Sequence, residues 1–136
     1  MASDRSRGNT SINTVVIDSS AIMMLFEFSI DLENELTRLL GRYKIVVPKA
    51  VISELELLSE KGKGKKKSNA KPALKLANNY EMIDDEKKHA DDAILNIAIK
   101  QNGIIFTNDK ELKKRAKDKS IKVIFLRSKS KLEITY

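Results

Sequence analysis

Short apolar runs alternate with amphipathic stretches along this chain. Thr14-Val15-Val16-Ile17 is a β-branched run closed by Asp18, and residues 19–26 follow as an apolar helix with Asp18 or Ser19 as its cap. Residues 31–41 read as a second helix, with Leu32, Leu36, Leu39 and Leu40 on one face and Gly41 as its stop. Residues 43–47 form a second buried-strand pattern. Pro48 then opens a helix at the turn where proline is tolerated. The run KGKGKKKSNAK, residues 61–71, has no apolar anchor except Ala70 and reads as a mobile basic loop. A short helix over 72–80, a brief strand within 80–85 and an amphipathic helix over 89–101 come next.

Gly103-Ile104-Ile105-Phe106 is a third apolar strand pattern, and Thr107, Asn108 and Asp109 offer caps to the helical run that follows. Residues 121–126 make a last strand. Residues 1–12 are expected to be a flexible arm, and residues 127–136 a basic tail. Strands alternating with helices over 13–126 predict a single α/β domain, its parallel sheet covered on both faces.

Composition narrows the partners. Lys and Arg number 26 against 19 Asp and Glu, a net charge of +7, which favours a polyanion such as nucleic acid. There is no cysteine, so disulfides and thiolate metal sites are excluded, and a reducing compartment fits. The longest clean apolar run, residues 21–26, is far too short for a membrane span. A cytoplasmic protein with no membrane association is the expectation.

Two acids stand on the wrong side of their helices. At about 100° per residue from Val51, Glu54 falls at about 300°, inside the arc running from Leu57 through Leu58 and Val51 to Leu55, whereas Glu56 falls outside it. The same count puts Asp91 in the middle of the face made by Ile94, Leu95 and Ala98, with Asp92 near its edge. A carboxylate turned inward needs a cation, a donor or solvent. Structural ion pairs satisfy that need too, and a lone Asp at a strand end is ordinarily a cap. Asp18 and Asp109, however, end strands at the edge where open α/β sheets collect ligands. Glu54 and Asp91 lie early enough in their helices to reach the same rim. Four oxygen donors without cysteine select Mg²⁺ or Mn²⁺ over zinc, and beside a basic surface they suit metal-assisted phosphodiester hydrolysis. His89, the single histidine, reads as solvent-facing or capping, and Met23-Met24 as core or dimer contact.

The segments VVIDSSAIM, VPKAVISELELL, ADDAILNIA and TNDKELKKRA, in this order and spacing over residues 13–126, resemble the PIN domain (PilT N-terminus) nuclease family. The resemblance implies a Rossmann-like α/β/α sandwich around a parallel sheet of about five strands. The activity implied is metal-dependent endoribonuclease cleavage leaving a 5′ phosphate and a 3′ hydroxyl. The family acids fall on Asp18, Glu54 and Asp109. The third falls on Asp91, eighteen positions before Asp109 as is common in the family, with Asp92 as a reserve ligand or supporting group. Ser20 and Thr107 match family hydroxyl positions that support the site.

Two branches of the family compete. One is the toxin ribonuclease of a toxin–antitoxin pair. The other is the archaeal relatives of the nuclease that processes small-subunit rRNA, which the motif wording and the lysine run place first. The implied partners are RNA (rRNA or pre-rRNA), a second copy through residues 23–28, and ribosome-assembly proteins or an antitoxin. Lys61, Lys63, Lys65, Lys66, Lys67 and Lys71 are candidate contacts to the RNA backbone. The reading from another class is a non-catalytic RNA-binding assembly factor, in which the acids are only caps and ion pairs.

Overall fold

The computed structural model describes residues 11–135, so all but the last two residues of the expected N-terminal arm lie outside the described residues. Strand β1 (Asn13–Ile17) leads into helix α1 (Ser19–Met24) and then α2 (Leu32–Leu40). β2 (Tyr43–Pro48), α3 (Lys49–Lys61), α4 (Gly64–Ala77) and β3 (Glu81–Ile83) follow. The second half runs α5 (Ala90–Gln101), β4 (Ile104–Phe106), α6 (Lys110–Asp118), β5 (Val123–Ser128) and β6 (Lys131–Ile134).

The six strands make one sheet in the order β3-β2-β1-β4-β5-β6. Every pairing is parallel except β5 with β6. Val15, Val16 and Ile17 of β1 lie beside Ile104, Ile105 and Phe106 of β4, and all six are buried. Such strands are apolar on both faces, as a parallel sheet between two helical layers requires. From β1 the chain moves outward one way to β2 and β3, and from β4 the other way to β5. Right-handed crossovers therefore put α2 and α6 on opposite faces. The strand order reverses between β1 and β4, and a crevice opens there at the strands' carboxyl ends.

The α/β architecture agrees with the sequence reading, but two segments differ. Residues 61–71 are not a loop: α3 extends to Lys61, and α4 begins at Gly64 and runs through Pro72 to Ala77. Its buried face is Ala70, Ala73 and Ala77, small enough for α4 to pack closely on α3, yet too weakly apolar to register as a hydrophobic stripe. The turn between the helices needs Gly62, where a Cβ would run into the Leu58 carbonyl oxygen.

The segment expected to be a basic tail carries β6. Leu132 and Ile134 are buried, and the strand is the sheet's sixth, antiparallel to β5. It is fastened by a long-range interaction that sequence does not display. Glu35 Oε1 accepts from the Leu132 amide at 2.8 Å, and Arg38 Nη2 donates to the Leu132 carbonyl at 2.7 Å and to Glu35 at 2.9 Å. The Arg38 hydrogen bond and the Leu132 amide hold the buried Glu35 carboxyl at about 2, against 4.5 ordinarily.

Replacing Glu35 by Gln is expected to destabilise the fold by about 1–3 kcal/mol at neutral pH, since charge-assisted hydrogen bonds are lost. A carboxyl with a depressed folded-state pKa stabilises fully above its unfolded value and loses that contribution as pH falls towards the folded value. Urea midpoints of wild type and E35Q should therefore differ at pH 7 and draw together between pH 4.5 and about 2.

Candidate active site

β1 ends at Ile17, and Asp18 follows in extended conformation as the N-cap of α1. Its carboxylate is buried, and both oxygens are occupied. Oδ1 accepts from the Ser19 amide at 2.8 Å; Oδ2 accepts from Ser20 Oγ and from Thr107 Oγ1, each at 2.7 Å. Thr107, fully buried just after β4, also accepts from the Asp109 amide at 3.0 Å. Ser20 Oγ in turn takes the Asn108 amide at 3.2 Å. Two hydroxyls thus clasp the end of β1 to the end of β4. Both expected supporting residues, Ser20 and Thr107, lie in this clasp.

Asp109 caps α6, its Oδ1 accepting from the Glu111 and Leu112 amides at 2.8 and 3.1 Å. The carboxylate is exposed, and among the described residues no donor reaches Oδ2. Glu54 is also exposed, in contrast to its position inside the apolar arc. It lies at the open rim, where solvent replaces burial, and Ser19 Oγ fixes its Oε1 at 2.8 Å.

Asp91 sits half-buried in the first turn of α5. Burial pushes its carboxyl above the ordinary value, and the negative charges of Asp18, Asp109 and Glu54 push the same way. The four acids therefore share one electrostatic neighbourhood. Asp92 is committed differently: Arg115 Nη2 of α6 reaches its Oδ1 at 2.7 Å and holds its carboxyl below the usual range. His89 occupies the N-cap of α5 with an exposed side chain that makes no capping bond.

A cleft of about 420 Å³ opens beside the rim, lined by Ser20, Glu54 and Asn108 and by Lys65 and Lys66 of α4. Of the six candidate lysines only these two line it; Lys61, Lys63, Lys67 and Lys71 do not. The carboxylate and hydroxyl donors suit a hard divalent cation such as Mg²⁺ or Mn²⁺. Among the described residues, no three acidic or histidine side chains stand close enough to form a ready-made cage, so an ion would have to draw them in. Sequence reasoning offered Asn108 only as a cap and did not single out Arg115. Asn108 Nδ2 bonds Met24 Sδ and its Oδ1 takes the Leu126 amide, tying α1 to β5, and nothing in its sequence context marks that role.

Thr107→Val keeps the shape but removes a buried hydroxyl that serves both Asp18 and the Asp109 amide. A loss of about 1–3 kcal/mol in denaturant stability is expected. An unchanged midpoint would mean that the clasp contributes nothing to the fold.

Comparison with known proteins bears on this arrangement. A family model described as a PIN like domain matches residues 15–129. Ribonuclease VapC4 of Methanocaldococcus jannaschii is 36% identical over 124 residues, covering 88% of this chain and 95% of the relative. Ribonuclease VapC9 of Archaeoglobus fulgidus is 34% identical over 127 residues, 93% of this chain and 92% of the relative. Among solved structures, the PIN domain endonuclease Utp24 superposes with a TM-score of 0.72 at 25% identity, covering 89% of this chain and 90% of its own. A domain from Methanocaldococcus jannaschii at 20% identity and TM-score 0.63 shares the fold. With the family model spanning most of its length and two relatives above 30% identity along nearly their whole lengths, the chain belongs to the PIN-like domain family.

Proposed function

We propose that this protein is a ribonuclease that hydrolyses RNA phosphodiester bonds with a divalent cation held by Asp18, Glu54, Asp91 and Asp109. The reading is supported by Asp18 and Asp109 at the reversal of strand order, by the charges of Asp18, Asp109 and Glu54 acting on Asp91, and by a neighbouring cleft lined by Lys65 and Lys66. Mg²⁺ or Mn²⁺, when bound, lowers the pKa of an attacking water and stabilises charge on the phosphate. Asp18 is held in place by Ser19, Ser20 and Thr107, and Ser19 aims Glu54. Asp92 holds Arg115 and so ties α5 to α6, which suits a supporting role better than that of a direct ligand.

Within the family, the relatives reorder the two branches. Both proteins above 30% identity carry the VapC ribonuclease name, which favours the toxin-type reading, with an antitoxin as partner, over rRNA processing. The motif wording favours the opposite order. It draws on residues around the acids, which both branches need for the same chemistry and which therefore separate them poorly.

Cleavage of a labelled structured RNA by wild type should require Mn²⁺ or Mg²⁺, stop in EDTA and be lost in Asp109→Asn. RNA affinity in that variant should stay equal or rise, because a negative charge leaves a phosphate site. Binding without cleavage in every metal would instead support a non-catalytic RNA-binding assembly factor. Induced expression of wild type in a bacterial host should arrest growth, and Asp109→Asn should not. Undisturbed growth with active enzyme would return rRNA processing to first place.

A further inference from the structure

The cleft beside the acids has a division of chemistry that phosphate hydrolysis alone does not need. Lys65 and Lys66 line it from α4, while α1 supplies Met23 and the segment after α1 supplies Glu27 and the half-buried ring of Phe28. Asn69 of α4, half-buried, adds an amide that both donates and accepts. The volume of about 420 Å³ lies within the range of about 300–1,000 Å³ typical of small-ligand sites. A site that only gripped the RNA backbone would be lined by cations and neutral donors. Here α1 and the segment after it line the cleft with a carboxylate, which repels phosphate, an aromatic ring and a thioether.

Resting on the ribonuclease reading, we propose that this cleft is a nucleotide subsite that seats one base of the RNA beside the scissile phosphate and selects it. Lys65 and Lys66 take the adjoining phosphate, and Phe28 and Met23 pack on the base plane, as aromatic side chains do in single-strand binding. Glu27 reads the base edge. A carboxylate can only accept hydrogen bonds. Adenine, cytosine and guanine present an amino group to it. Uracil offers a single ring N–H flanked by two carbonyl oxygens, which a carboxylate repels. The subsite therefore disfavours uridine, and Glu27 is its specificity-determining residue.

The test uses the full chain with a randomised single-stranded oligoribonucleotide pool in Mn²⁺, with the cleaved ends sequenced. Wild type should show uridine depleted at one position next to the cut, and Glu27→Gln should relax that depletion without abolishing cleavage. Phe28→Leu retains an apolar side chain to pack on the core but removes the ring. It should lower kcat/KM by about 5- to 150-fold, the range for loss of one base–aromatic stack. It should also abolish the quenching of 2-aminopurine placed at that position, measured in EDTA where no cleavage is expected. Cleavage with uniform base usage and wild-type behaviour of both variants would overturn the subsite and leave the ribonuclease reading intact. Neither cleavage nor quenching by wild type would overturn both.

Discussion

The site depends on how one buried carboxylate is satisfied, among the described residues, without a cation of its own. Asp18 receives an amide and two hydroxyls, and all three donors are neutral. Neutral donors meet the hydrogen-bonding need of a buried carboxylate without bringing a countercharge, and Asp18 acts electrostatically on Asp91 across the rim. A lysine or arginine in the same place would bring that countercharge. Arg115 is bound to Asp92, and its charge opposes the acids' effect on Asp91 only in part. A chain of net charge +7 thereby keeps an acidic focus at the reversal of its sheet.

The same bonds that cap the helices aim the acids. Asp18 and Asp109 each stand between a parallel strand and a helix N-terminus, where the aligned peptide dipoles favour a negative group. Because β1 and β4 are neighbours with Ile17 beside Phe106, two helix starts and two carboxylates are delivered to one crevice by strand pairing alone. Thr107 adds the local lock, since its one oxygen donates to Asp18 and accepts from the Asp109 amide. Fold and site are not separable here. Asp109 caps α6 with one oxygen and, among the described residues, leaves the other without a donor.

The β-branched runs closed by Asp18 and Asp109, and the position of Asp91 on the inward face of α5, were legible because they follow local periodicity. The stop at Gly41, with φ of 75°, was legible for the same reason. What sequence misses is set by contacts far along the chain. α4 hides its packing face in alanines, so its lysines dominate the pattern and mimic a loop. β6 is fastened by Glu35 and Arg38, almost a hundred residues earlier, which bind its backbone. Glu54 reads as inward from helical phase, yet α3 carries it past the sheet to the open rim, where phase no longer implies burial.

The Glu35–Arg38 contact also bears on how copies of this molecule meet. Leu132 lies in the last strand of the sheet, and an unpaired strand edge is a template for adding another chain. Here one side chain accepts from its amide and another donates to its carbonyl, so a helix imitates the next strand and ends the ladder there. At the opposite border, β3 offers only three residues for pairing. Open-ended sheet polymerisation is thus disfavoured at both borders, and association between molecules is left to side-chain surfaces rather than to shared backbone.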